Sequence, residues 1–153
     1  MIREAKKEDL AYLRNLSYIL NEEMSILEPH YALAADGDLD ELSFFIDDPN
    51  HVCFVAIEDK IVIGMILAEL QETPKIPVLK EKSFVNIADF IIHPGFRNLG
   101  YGKKLIQAVE KWATEKDADF VSLSCLSKNK SAIEVYKKLS YGEYSVHFRK
   151  ELQ

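Results

Sequence analysis

The sequence predicts a mixed α/β chain in which helices and strands do not simply alternate. Three observations predict it. Apolar residues recur at helical spacing in four segments. β-rich runs separate those segments, and one pair of runs forms a hairpin. The order that results is β-α-α-β-β-β-α-β-α-β, which excludes a simple doubly wound sheet, where strands and helices would alternate throughout. The 153 residues fit one domain, 1–153, with enough chain to bury a real core.

Each element has its own signal. "MIREA" alternates like a short strand. "EDLAYLRNLSYILNEEM" places Leu10, Leu13, Leu16, Ile19 and Leu20 at helical spacing, with Glu8 and Asp9 supplying acids at its start. "DGDLDELSFFIDD" is a second helix, stopped at Asp48-Pro49 because the residue before a proline avoids the helical region. "HVCFVAIEDKIVIGMILAEL" is a hairpin turning at Glu-Asp-Lys. A polar loop, "TPKIPVLKEK", leads into the strand "SFVNIADFIIHP". Gly102 to about Lys116 is an amphipathic helix with Leu105, Val109 and Trp112 on one face. "DFVSLSCL" is a buried strand, "NKSAIEVYKKL" a helix, and "EYSVHFRKEL" a closing strand.

Composition narrows the function. No apolar run approaches a membrane span, and the polar start does not fit a signal peptide. Cys53 and Cys125 both sit in apolar runs, so they are expected in the core, with no disulfide and a reducing cytoplasm. A net charge of −6 argues against a nucleic-acid binder. The charges are also segregated. From Asn15 to Asp59 there is no Lys or Arg and there are eleven acids. From Arg97 to Lys104 three bases stand with no acid. The four histidines have no metal-pair spacing, so no metal site is expected.

The basic stretch carries the strongest chemistry. "RNLGYG", Arg97 to Gly102, follows a strand and opens a helix. The first N–H groups of a helix are free and bear partial positive charge, and glycines let an anion reach them without a Cβ in the way. A phosphate or pyrophosphate is expected there, although neither the Walker nor the dinucleotide pattern is present. Asn129 lies 27 residues beyond Gly102, where a strand gives way to a helix, and Tyr136 lies two turns further on the same face.

From about Ser83 to the C-terminus the chain resembles the GCN5-related N-acetyltransferase (GNAT) family. "IIHPGFRNLGYG" looks like its strand, proline and Q/R-x-x-G-x-G/A turn, and "NKSAIEVYKKLSYG" looks like its N-x-x-A-x-x-x-Y helix. Ser140-Tyr141 departs from the usual Gly-Phe. The resemblance implies a mostly antiparallel sheet flanked by helices and splayed between its fourth and fifth strands, here about 83–92 and 119–126, with acetyl-CoA in the cleft. It implies that Arg97, Asn98, Leu99, Gly100, Tyr101, Gly102 and Lys103 hold the pyrophosphate. Phe90, Ile91 and Ile92 would pair with the pantetheine arm, Asn129 would contact that arm, and a backbone N–H near Ile92 would help hold the oxyanion.

The implied reaction is direct attack of an amine on the thioester. Tyr136 matches the general acid, since a phenol is protonated at neutral pH. Asp89, a carboxylate in an apolar strand, is the candidate base, directly or through water. Asn86 stands where histone-modifying relatives carry a glutamate base, which speaks against that mechanism. The acidic first half, the family's acceptor side, implies a cationic acceptor: a polyamine, an aminoglycoside-like amine or a basic peptide. Dimers are common in the family, so the resemblance allows a homodimer. A non-catalytic acetyl-CoA sensor would keep "RNLGYG" and Asn129 but need neither Tyr136 nor Asp89, so Tyr136 favours the enzyme.

Overall fold

A computed structural model describes all residues from Met1 to Gln153. Five strands form one sheet in the order β1-β2-β3-β4-β5: Ile2–Glu4, His51–Glu58, Ile61–Glu72, Ser83–Ile92 and Phe120–Leu123. All neighbours are antiparallel except β4 and β5, which run parallel. The hairpin turns on Asp59 and Lys60, both at positive φ, the geometry of a two-residue turn whose twist matches its strands.

Helices α1 (Leu10–Leu27) and α2 (Leu39–Asp47) cover one face, and α3 (Tyr101–Glu115) covers the other. The predicted spacing sets their contacts. Leu13 and Leu16 of α1 and Leu42 and Phe45 of α2 bury themselves against Val55, Met65, Leu67 and Ile91. Leu105, Ile106, Val109 and Trp112 of α3 pack on Val52, Ile66, Val85 and Ile87. Each such leucine is worth about 2–3 kcal/mol of transfer free energy. Central β3 is buried from Val62 to Ala68, because both layers cover it. At its start the first face is locked by Asp9, which receives two hydrogen bonds from Arg3, at 2.8 and 3.0 Å, and one from the Lys6 N–H. No helix is long and apolar enough to cross a membrane.

Three expectations fail. β5 is not a buried strand: Phe120 is exposed and Val121 to Leu123 are only half-buried, because no helix closes over this end of the sheet. The closing strand does not join the sheet: beyond Tyr141 no backbone N–H or C=O makes a backbone hydrogen bond. The segment is held at both ends instead. Tyr141 bonds Glu110, and Arg149 and Glu151 rest on Tyr31. Cys125 is exposed rather than core, because β5 ends at Leu123 and the chain leaves the sheet before reaching it. Cys53 is buried as expected.

Candidate active site

The site begins where β4 parts from β5. Their pairing runs from Phe84↔Phe120 to Ile87↔Leu123 and stops. The next residue, Ala88, is an extra one in β4: Leu67 pairs Asp89 and Ala68 pairs Ile87, leaving Ala88 unpaired. Such a bulge bends its strand. It also resets the faces. Val85 and Ile87 point into the α3 core and so does Ile92, whereas Ile91 points to the α1–α2 side. Alternation from Ile91 places Asp89 on that same side. The sequence carries the sign of this bulge, since core-facing residues change from odd to even numbers within one strand.

From Ala88 onward β4 has an open edge toward β5. The His93 N–H donates to the Ile63 carbonyl at 2.7 Å, so it faces β3. Backbone groups alternate sides along a strand, so Ile91 also turns to β3, while Phe90 and Ile92 turn to the open edge. The Ile92 carbonyl indeed accepts the Arg97 Nε at 2.9 Å. Of the three residues expected to meet a pantetheine arm, Phe90 and Ile92 thus offer backbone groups and Ile91 does not.

A cavity of about 460 Å³ opens at this divergence. Asp89, Phe90, Cys125, Asn129 and Tyr136 line one side, and Leu20, Met24 and Leu33 the other. Burial pushes the Asp89 carboxyl up to about 6, helped by the nearby negative charge of Glu41. Burial likewise pushes the Tyr136 phenol up to about 12, with a smaller contribution from Cys125. Neither side chain has a hydrogen-bond partner within the protein, and both line the cavity. The Asn129 Oδ1 caps α4 (Lys130–Lys138), accepting from the Ala132 N–H at 3.2 Å, which leaves its amide N–H₂ free. Cap and contact roles are therefore compatible. Asn86 is half-buried and bonded to Glu69 and Ser122 at 3.4 Å, away from these groups.

At the start of α3 the backbone N–H groups from Arg97 to Lys103 have no acceptor in the protein, the first helical bond being Lys104 to Gly100. Gly100 sits at φ 88° and Asn98 at φ 63°, the left-handed backbone that turns these groups outward. A Cβ on Gly102 would come within 3.1 Å of Phe90 Cζ, so glycine lets the helix end approach β4. Unsatisfied donors on a helix start suit a pyrophosphate. The Arg97 side chain is spent inside the protein, on Ile92 and on Glu23 at 2.5 Å, and the Tyr101 hydroxyl bonds Glu58. Lys103 is exposed. The charge at this turn thus comes chiefly from the backbone and the lysines.

The acidic region does not form the pocket expected of it. Asp89 is the cavity's one carboxylate. Asp36 pairs with Arg14, Asp47 with Lys7, Glu28 with Lys128 and Glu23 with Arg97, and Asp38 caps α2. These acids stabilise helix ends and loops. No group of three or more His, Cys, Asp or Glu is arranged to hold a metal.

The model of the acetyltransferase (GNAT) family matches residues 13–141, spanning β2 to β5, the α3 turn and α4. The chain belongs to the GNAT family. It is therefore an N-acetyltransferase that draws its acetyl group from acetyl-CoA. A thialysine N-epsilon-acetyltransferase of Bos taurus is 29% identical over 153 residues, covering 91% of this chain and 82% of the relative. The fold matches the BH1408 protein of Bacillus halodurans with a TM-score of 0.95 at 17% identity, covering 100% of this GNAT chain and 99% of the other. It also matches AAC(6')-Iy bound to the bisubstrate analog CoA-S-monomethyl-acetylneamine, with a TM-score of 0.74 at 22% identity, covering 99% and 97%.

Proposed function

We propose that this N-acetyltransferase acts on a primary amine at the end of a slim, cationic chain. The observation that carries the proposal is the cavity itself. Its acceptor side is apolar (Leu20, Met24, Leu33), and its other side carries one unpartnered carboxylate, Asp89, and one unpartnered phenol, Tyr136. Apolar walls suit an alkyl or thioalkyl stem, and a single carboxylate suits its terminal ammonium. The bovine relative is named for such an amine, thialysine.

The free N–H groups from Arg97 to Gly102 would hold the pyrophosphate, and the Phe90–Ile92 edge together with Asn129 would align the pantetheine arm. Acetyl-CoA supplies the activated acetyl thioester. Asp89 takes the proton that leaves the ammonium, freeing the nitrogen lone pair for attack. The N–H of Ile92 or Phe90, turned to the open edge, faces the developing negative oxygen. Tyr136 gives its proton to the departing sulfur as the carbon–sulfur bond breaks, a transfer that suits a phenol kept protonated at every working pH.

The test is thiol release from acetyl-CoA over a panel of thialysine, lysine, spermidine, aminoglycosides and basic peptides. Turnover is expected with the linear aminoalkyl acceptors. In Tyr136→Phe, kcat should fall about 100-fold while calorimetric binding of coenzyme A is retained. Undiminished turnover in that variant would remove Tyr136 as the acid. Turnover confined to aminoglycosides would overturn the slim acceptor.

A further inference from the structure

Opposite charges meet across the rim of the acceptor cavity. Glu28 belongs to the α1 wall. It lies one turn beyond Met24, and its carbonyl accepts from the Ala32 N–H at 3.0 Å; Met24 and Ala32 both line the cavity. Lys128 belongs to the other wall, next to Asn129. The Lys128 Nζ reaches across to the Glu28 Oε1 at 3.0 Å and to the Leu27 carbonyl at 3.4 Å. The Glu28 side chain is 21% exposed and that of Lys128 62%, so the pair opens to solvent on the lysine side.

Each of the two charges stands at the wrong end of a helix. α1 ends at Leu27 with no basic residue in its last turn, and Glu28 is its C-cap. The last carbonyls of a helix carry partial negative charge and favour a cation. α4 begins at Lys130 with no acid in its first turn, and Lys128 precedes its cap, Asn129. The first N–H groups of a helix favour an anion. Exchanging the two residues would suit both helices, so this pair ties the walls together against the helix dipoles. Natural proteins break such local rules mainly at functional sites. The arrangement is complementary to a ligand with its charges in the reverse order. Glu28 and the α1 carbonyls offer a place for an ammonium, and Lys128 and the start of α4 offer one for a carboxylate. From Met24 to Glu28 the wall covers roughly 6 Å at the helical rise, about the span of a four-carbon stem.

We propose that Glu28 and Lys128 are specificity residues that read the α-ammonium and α-carboxylate of a free amino acid whose side chain ends in the amine to be acetylated. The inference rests on the slim-acceptor reading above. The side-chain amine sits at Asp89, the stem lies on Leu20, Met24 and Leu33, and the zwitterionic head lies at the rim. The head parts the ion pair and replaces it with two, each bringing to its helix end the sign that end favours. A polyamine has no group for Lys128. A lysine inside a peptide has amides in place of both charges. The same rim therefore selects against both.

The test is kcat/KM for lysine, cadaverine, ε-aminocaproate and Nα-acetyl-lysine amide, in the native chain and in Lys128→Met and Glu28→Gln. Cadaverine lacks the carboxylate, ε-aminocaproate lacks the α-ammonium, and the blocked lysine lacks both charges. In the native enzyme lysine should exceed each of the others by about tenfold or more, the scale of one hydrogen bond to a charged group. Lys128→Met should cut lysine and ε-aminocaproate about tenfold through KM and leave cadaverine within about twofold. Glu28→Gln should cut lysine and cadaverine in the same way and spare ε-aminocaproate. A merely structural ion pair would lower all the acceptors together, and that result would overturn the proposal. So would a native kcat/KM for cadaverine or the blocked lysine equal to that for lysine, an outcome that leaves the slim-acceptor reading standing. No turnover of any of the four would overturn both. If a variant fails to fold, the native comparison alone decides.

Discussion

At Asp89 the burial that raises the carboxyl also weakens the fold. An unfolded aspartate titrates near 3.9, whereas this one titrates at about 6. Between those values the unfolded chain has released a proton that the folded chain keeps, so stability falls as pH rises through the window and levels off above it. Asp89→Asn should therefore raise stability at pH 7.5 by about 1–3 kcal/mol, a gain that shrinks to nothing near pH 4. Thermal melts across that range would show it. The same variant should lose acetyl transfer by about 100-fold. In the native enzyme, acceptor kcat/KM should climb with pH through about 6, the value at which the base ionises. A stabilised variant with full activity would reduce Asp89 to a wall residue. Tyr136 shifts in the other functional direction: a phenol held near 12 stays a donor throughout that profile.

Among the elements, β4 decides the site, and its bulge is the feature most worth breaking. Removing Ala88 would leave a regular strand in which Ile87 and Phe90 still face α3 and Asp89 still faces α1, so both cores should survive. The bend that carries β4 away from β5 would go. Deletion of Ala88 should leave a cooperative melt but cut acetyl transfer by about 100-fold, the scale of loss expected when reacting groups are misplaced by about an ångström. Unchanged transfer would mean that the cleft does not depend on the bulge. Most of the elements were legible in the sequence because periodicity and caps are local: Leu13 and Leu16 announce α1, and Asp38 and Asn129 sit at helix starts. The α3 turn was legible because glycine spacing fixes backbone shape. Cys125 misled because an apolar run says nothing of where a strand stops pairing. The final strand misled for a related reason. "EYSVHFRKEL" has the pattern of a strand, but pattern does not name its neighbour, and within this chain it has none.

For the molecule as a whole, charge is arranged by two different rules. Near the α3 turn Lys103 and Lys104 stand beside free backbone donors and act at one point, whereas Arg97 is neutralised by Glu23. The acids of the first half are dispersed among ion pairs and caps, with Asp36 on Arg14, Asp47 on Lys7 and Asp38 on the α2 N–H groups. A dispersed set can still attract a cation from a distance, because the field of a net charge of −6 is collective. Steering of that kind is screened over roughly 10 Å at 0.1 M salt. For a triply charged acceptor such as spermidine, kcat/KM should drop about three- to tenfold between 10 and 150 mM salt, as steered encounters do. An uncharged primary amine should show no such slope. Asp36→Asn and Asp40→Asn should each change kcat/KM by less than about twofold, since neither lines the cavity. Asp38→Ala should act on the melt instead, costing about 1 kcal/mol through its lost cap. A large KM effect from one of the first two variants would place that carboxylate in contact with the acceptor and move recognition from the field to the residue.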